Sequence, residues 1–508
     1  MSFSSIGEVK LAVGDPSRAE ADIVVLGIHE GADPTAVTEA LDKAAGGALR
    51  RAIETKDFKG EANEALLLYP TQGPARRILL VGLGKQAGLT RERIRSSAAT
   101  AARRCRDLGV ARACAFLFGQ GTEISAEEAA EAFVEGALLG TFQYVEFKTK
   151  DREKIKTLGT LEILVPDERI RSAAEGGFSR ARAVGLAVNY VRTLAAHPGN
   201  HATPSFLAAE AERLAADPAR SLRCTIFDRA KMKDLGMGAL LGVAKGSHEE
   251  PRFILLEYSA GDPGASTVAV VGKGLTFDAG GISIKPSAKM EDMKFDMCGG
   301  AAVLGIMSVL KEAGVKVNVV GAVPATENLP GGGAYKPGDI LRSYSGKTIE
   351  IQNCDAEGRL ILADALSYVA RVHKPAAIVD MATLTGAVVI ALGHYGAGLL
   401  SNDEPLAARI EDASKRSGDR LWRLPIWEEM NDHLKSDFAD LKNIGDASAG
   451  GGTIIGGAFL GNFVDGIPWA HIDIAGTAYW EKDRPHLPKG PSGYGVRLIV
   501  DLLRHWGG

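Results

Sequence analysis

Four acids, Asp278, Asp296, Asp355 and Glu357, fall within one stretch of the chain, 271–360, together with Lys273, Lys285 and Arg359. Glycines and apolar residues surround them. Val271 to Gly281 reads Val-Gly-Lys-Gly-Leu-Thr-Phe-Asp-Ala-Gly-Gly, and Asn353 to Leu360 reads Asn-Cys-Asp-Ala-Glu-Gly-Arg-Leu. That setting places ionisable groups at the ends of buried strands. Carboxylates forced together repel and take up protons unless a cation lies between them. These four are enough oxygen donors for two divalent ions with shared ligands. No histidine lies between His248 and His373, and HExxH is absent. A histidine-based three-ligand zinc site is therefore excluded here, and a carboxylate-rich two-metal hydrolytic centre remains. A lysine among such cations can become a neutral ligand or stay charged and bind an oxyanion. Arg359, always charged, can hold an anion nearby.

Taken singly, each residue has a plainer reading. Asp278 before Gly280-Gly281 is a turn residue, Lys285-Pro286 an exposed loop, Asp296 a helix cap, and Asp355 to Arg359 a solvated salt-bridge turn. Their joint placement makes the plain set a poor account of the whole stretch.

The elements that must position them alternate between strand and helix. Strand patterns occur at Phe253 to Tyr258, Thr267 to Gly272, Val317 to Val323, Thr348 to Gln352, Ala376 to Met381 and Trp469 to Ile474. Helical patterns at Gly299 to Ala313, Arg359 to Val372, Pro405 to Ser417 and Gly452 to Phe463 separate several of them. This alternation predicts a mainly parallel sheet with helices on both faces, whose sites form at the carboxyl ends of the strands. Lys273 and Asp278 follow one expected strand, and Asp355 and Glu357 follow another. In an extended segment residues two apart point the same way, so Asp355 and Glu357 are expected to aim at one point. Gly358 then allows a sharp turn into a helix beginning near Arg359.

At 508 residues the chain is too long for one ordinary core. Its organisation reads as a smaller α/β domain over 1–167, a linking helix over 168–196 and a catalytic α/β domain over 197–508. In the first part, Ile23 to Ile28, Arg77 to Leu83 and Leu161 to Val165 read as strands, and Pro34 to Ile53 and Thr90 to Leu108 as helices. Thr203 is placed to cap a helix from Pro204 to Ala216. Val-Gly-Leu-Gly-Lys, ending at Lys85, lacks the phosphate-loop spacing, and Gln86 stands where Ser or Thr is needed.

The apolar share of 45%, the charged share of 24% and a net charge of −4 describe a soluble protein with no bias towards nucleic acid or anionic membranes. Five scattered cysteines without a CxxC pair argue against a disulfide framework and for a reducing, cytoplasmic setting. The first residues lack a basic start followed by an apolar run, so no secretory signal is expected. The most membrane-like run, Ala376 to Gly393, carries Asp380, Thr383 and Thr385, and reads as a buried strand and loop.

The stretch resembles the leucine aminopeptidase family, the two-metal cytosolic aminopeptidases. Its signature appears as Asn353 to Leu360, with Cys354 for the usual threonine, and a second motif as Lys273 to Gly281, with Ala279 for serine. Ile282 to Pro286, Met293 to Met297, Thr326 to Pro330, Ala382 to Gly386 and Asp473 to Gly476 also match, within a resemblance that runs from about Asn189 to the end. The resemblance implies a macro-like fold for the first domain. It also implies one metal on Lys273, Asp278, Asp296 and Glu357, and another on Asp278, Asp355 and Glu357, with Mn²⁺ or Zn²⁺ as the ions. Lys285 would polarise the scissile carbonyl, and Arg359 would hold a bicarbonate-like anion as general base. The substrate's free α-amine would bind a metal, and Met293, Thr383 and Gly386 would line the pocket for the first side chain. Peptides with a free N-terminus are the implied substrates, leucine and other apolar residues the favoured leaving residues, and a homohexamer the implied assembly. Neither departure removes a ligand. Cys354 is expected to pack away from Asp355, and the lost hydroxyl at Ala279 could alter bonding behind Asp278. Two alternatives stay in view: a DNA-binding or scaffolding role, for which no recognition motif appears, and another two-metal hydrolase such as a phosphoesterase, for which no phosphate-cradling loop appears.

Overall fold

The structure is a computed structural model that describes residues 6–31, 35–446, 448 and 450–507. It has two compact α/β units, Met1–Asn189 with Lys482–Lys489, and Tyr190–Glu481 with Gly490–Gly508. One helix, Glu168–Ala196, fills most of the expected linking segment, and the division between units falls within it.

The first unit has a six-stranded sheet in the order Ile6–Val13, Leu158–Val165, Arg112–Phe116, Ile23–His29, Ile78–Gly84, Ala65–Leu68. All neighbours are parallel except the last pair. Thr90 caps the helix Arg91–Leu108, its side chain accepting from the Arg93 N–H. The helical pattern of 34–53 breaks into Ala36–Ala44 and Ala48–Glu54. Gly46 and Gly47 between them take φ of 66° and 78°, which ends the first helix. Pro34 lies outside the described residues.

The second unit is built on a nine-stranded sheet. Its main path runs Leu421–Arg423, Ala397–Ser401, Trp469–Asp473, Ala377–Ala382, Thr267–Gly272, Asn318–Asn328, Arg252–Tyr258, Leu222–Phe227. The middle is parallel, as the strand–helix alternation predicts. Arg252–Tyr258 and Leu222–Phe227 add antiparallel at one side. The long strand Asn318–Asn328 has two successive parallel partners. Thr267–Gly272 pairs with Asn318 to Ala322, and Gly274–Asp278 pairs with Ala325 to Asn328. Pro324, which has no N–H to give, falls between the two partners, so the strand runs past the proline and beyond the expected end at Val323.

Thr348 to Gln352 departs from expectation. The strand is only Thr348–Glu350, and it lies in a separate three-stranded sheet between Ile340–Arg342 and Leu441–Lys442. Thr203 caps the helix Pro204–Ala215 as expected, accepting from the Phe206 N–H at 3.2 Å. Ala376 to Gly393 is a buried strand, a loop and the short helix Gly386–Leu392. Among the described residues no helix is long and apolar enough to cross a membrane.

Candidate metal and active site

Five strands of the second unit carry their last residues to one edge of the sheet, the carboxyl edge of its parallel middle. Lys273 follows Thr267–Gly272, Asp278 ends Gly274–Asp278, and Asn328 ends Asn318–Asn328. Thr383 follows Ala377–Ala382, and Asp473 ends Trp469–Asp473. Gly280 and Gly281, at φ 86° and 61°, turn the chain directly after Asp278. That turn returns Lys285 to the acids, where its N–H bonds to the Ala279 carbonyl at 3.0 Å.

Asp278, Asp355 and Glu357 each offer a carboxylate oxygen within 4.8 Å of the others. Lys285 Nζ lies 2.8 Å from Asp278 Oδ2 and 2.5 Å from Asp355 Oδ1. Lys273 Nζ lies 2.8 Å from Asp296 Oδ2 and 2.9 Å from Glu357 Oε1, and donates to the Thr383 carbonyl at 3.0 Å. Gly358 leaves room for this lysine, because a Cβ there would sit 2.6 Å from Lys273 Nζ and push it from its present place. All seven residues singled out for chemistry thus lie in this unit, and six of them meet in one cluster. The seventh, Arg359, stands one helical residue beyond Gly358.

Two expectations about local geometry are corrected. Asp355 and Glu357 do not share an extended strand. Residues 354–355 form a turn, and Glu357, with φ −85° and ψ −32°, begins the helix Gly358–His373. The carboxylates converge through that turn. Asp296 does not cap the helix Cys298–Val309, whose first position has no side-chain cap. Its Oδ1 instead accepts from Thr383 Oγ1 at 2.5 Å. Asp278 is both turn residue and cluster member, since its Oδ1 accepts from the Gly280 N–H at 2.9 Å.

Burial pushes the Glu357 carboxyl up to about 8, with the Asp278 charge adding and the Lys273 charge opposing. Burial likewise raises Asp296 to about 6 against the pull of Lys273, and raises Asp355 against its bond to Lys285. Burial would lower both lysines, but the surrounding acids outweigh it and hold each ammonium above its ordinary value. Two ammoniums face four acids. Glu357 Oε2 is buried with no hydrogen-bond partner among the described residues. An oxygen-rich set with an orphaned buried carboxylate oxygen suits divalent cations, and the donors present fit them.

Arg359 donates from Nη1 to the Asn443 carbonyl at 2.9 Å and keeps a buried Nε without a partner among the described residues. Burial lowers it to about 10 despite the nearby Glu357 and Asp473 charges. It lines a cavity of about 600 Å³ with Ala387, Ile390, Gly451, Thr453 and Ile455. Met293 is half-buried on the 3-10 turn Met290–Met297 that carries Asp296. Gly386 is exposed at the start of its helix, and a Cβ there would meet nothing within 4 Å. Cys354 packs inward as expected, its Sγ 3.5 Å from the Tyr335 carbonyl.

Residues without an assigned role complete the frame. Asp473 accepts from the Leu384 and Thr385 N–H groups and from Thr385 Oγ1, fixing the loop that carries Thr383. The Asn443 side chain bonds the backbone of Gln352, Asn353 and Ala356 around the Asp355 turn. Asn328 donates to Asp278 Oδ1 and to the Cys354 carbonyl, each at 2.9 Å. Asp473 and Asn328 stand in matching motifs, yet only the fold shows what they touch.

Residues 189–500 match the model for the catalytic domain of the cytosol aminopeptidase family, and residues 25–151 match that for its N-terminal domain. The chain belongs to the cytosol aminopeptidase family. It is 45% identical over 497 residues to a probable cytosol aminopeptidase of Geotalea uraniireducens (strain Rf4), covering 97% of this chain and 98% of that one. A probable cytosol aminopeptidase of Geobacter sp. (strain M21) is 45% identical over 501 residues, at 98% and 99% coverage. Among solved structures, a tomato leucine aminopeptidase variant superposes with a TM-score of 0.87 at 32% identity, over 98% of this chain and 96% of that one. The bottromycin maturation enzyme BotP in complex with Mn does so with a TM-score of 0.85 at 33% identity, over 96% and 100%. This cytosol aminopeptidase family member is thus a peptidase, a hydrolase with two α/β domains.

Proposed function

We propose that this aminopeptidase releases N-terminal residues, leucine and other apolar ones foremost, with two divalent ions. Lys273, Asp278, Asp296 and Glu357 would hold one ion, and Asp278, Asp355 and Glu357 the other. The carrying observation is the charge imbalance around Glu357: four acids converge on two ammoniums, and Glu357 Oε2 is left buried and unpartnered. Manganese or zinc suits the reading, and the similar structure of BotP is a complex with Mn. When bound, such ions supply Lewis acidity, lowering the pKa of water and polarising a carbonyl oxygen.

The protein's own groups have separable tasks. Lys285, an ammonium with a partly exposed side chain, donates to the scissile carbonyl oxygen and steadies the negative charge that develops there. Arg359, whose buried Nε–H has no partner among the described residues, would hold an anion of the bicarbonate type, which would supply a general base there. Met293, Thr383 and Gly386 border the place of the first side chain. Thr383 does so while its carbonyl and hydroxyl hold Lys273 and Asp296, so side-chain recognition and the acid cluster share one loop. Lys273 and Asp278 stand at strand ends, and Asp296, Asp355 and Glu357 are brought to them by a 3-10 turn, a turn and a helix start packed on the same edge. The reading extends to a cytoplasmic homohexamer, for which exposed Ile390, Trp422, Trp427 and Phe438 offer apolar surface to cover.

The test is a Mn²⁺-supplemented assay against amino-acid amides. Leucine amide and other apolar amides should be cleaved fastest, and N-acetyl-leucine amide should be untouched because its amine is blocked. Comparable cleavage of the blocked amide would overturn the exopeptidase reading.

A further inference from the structure

Asn328 touches both halves of the acid cluster. It ends the strand Asn318–Asn328, opposite Asp278 in the ladder, and is fully buried. Its Nδ2 donates one proton to Asp278 Oδ1 and the other to the Cys354 carbonyl, both at 2.9 Å. Those two neighbours are acceptors only, so the amide nitrogen must face them and the orientation is fixed chemically. Its Oδ1 has no partner among the described residues. The backbone of Asn328 adds a third tie, its carbonyl accepting from the Ala279 N–H at 2.9 Å.

The consequence falls on the acids. Asp278 Oδ1 is occupied by two neutral donors, Asn328 Nδ2 and the Gly280 N–H. The carboxylate therefore cannot rotate freely, and its Oδ2 is the oxygen turned to Lys285. The Cys354 carbonyl, one residue before Asp355, is clamped by Asn328 and by Tyr335 Oη at 2.7 Å. One amide thus joins the strand end that carries Asp278 to the turn that carries Asp355. Gly281 leaves the room: a Cβ there would lie 2.7 Å from Asn328 Oδ1.

We infer that Asn328 is a positioning residue that sets the spacing between the Asp278 and the Asp355–Glu357 halves of the cluster, and thereby the affinity of the site for divalent cations. The inference rests on the two-ion reading above. Groups that orient ligands from behind are worth about 10–100-fold in metal affinity.

Asn328→Leu is the variant of choice, because it keeps the branching at Cγ, loses both donated bonds and gives up an Oδ1 that has no partner among the described residues. Asn328→Ala, without the branch that would crowd Gly281, is the second. Tyr335→Phe is the control, since it removes a bond to the Cys354 carbonyl but leaves Asp278 untouched. Metal-stripped full-length chains are titrated with Mn²⁺ by calorimetry, and their melting temperatures are measured without metal. The expected result is Mn²⁺ binding about 10–100-fold weaker in both Asn328 variants, with a smaller change in Tyr335→Phe. Variants that melt earlier but bind Mn²⁺ as the parent does would overturn the inference and leave Asn328 a fold-stabilising residue. A parent chain that takes up no Mn²⁺ would remove the two-ion reading and this inference with it.

Discussion

Glu357→Gln is expected to lower kcat/KM on leucine amide by about 10³-fold or more, the several kcal/mol that metal-assisted charge stabilisation supplies. Glu357 is the most enclosed acid of the cluster, its side chain 2% exposed, and among the described residues its buried Oε2 has neither a hydrogen-bond partner nor a lysine beside it, unlike Asp296 Oδ2 and Asp355 Oδ1, which face Lys273 and Lys285. Glutamine fits the same space and keeps a carbonyl oxygen for Lys273. It removes a carboxyl whose ionisation burial and the Asp278 charge already oppose, so the metal-free chain should fold at least as well as the parent. The two effects separate function from folding. Steady-state kinetics with added Mn²⁺ and thermal denaturation without it measure both. A variant that retains activity, or one that loses activity only because it no longer folds, would count against Glu357 as a ligand.

Lys285→Ala should cost about 10²–10³-fold in kcat with a much smaller change in KM, the signature of a donor used only as charge develops. Lys285 bridges Asp278 and Asp355 yet keeps about a fifth of its side chain exposed, whereas Lys273 is enclosed at 3%. The exposed lysine is the one able to reach a substrate oxygen. Lys285→Arg should not restore the rate, because a planar fork cannot take the place of a compact ammonium between two carboxylates 2.5 and 2.8 Å away. A near-parental kcat in Lys285→Ala would assign the lysine to holding the acids apart and nothing more.

The parts of this site that follow local rules were legible from sequence. Gly280 and Gly281 after Asp278 mark a turn, and the structure makes it there with positive φ at both, whereas Gly358, expected to allow a sharp turn, has no positive φ and instead lies against Lys273. The parallel middle of the large sheet follows from alternating strand and helix patterns. What could not be read is which sheet a short strand joins. Thr348 to Gln352 has the pattern of a buried strand, but it pairs with Ile340–Arg342 as a hairpin and with the distant Leu441–Lys442, and nothing within its own pattern selects that sheet over the large one. Asp355 and Glu357 therefore meet by a turn and a helix start, although period-two alternation gave the same convergence for a different reason. Asn328 and Asp473 stand in matching motifs, but their tasks are hidden for a related cause. Each sits at the end of a strand, and its task depends on a loop about 26 or 88 positions away in the chain. Pro324 hid the extent of the strand that delivers Asn328, because a proline inside a strand reads as its end unless the partners change there.

The most direct test of the two-ion account is activity against metal content. The chain is stripped exhaustively with chelator, then titrated with Mn²⁺ while leucine release from leucine amide is followed. The account predicts no release from the stripped chain and full recovery at two equivalents of Mn²⁺ per chain. Undiminished release after complete removal of metal would contradict it.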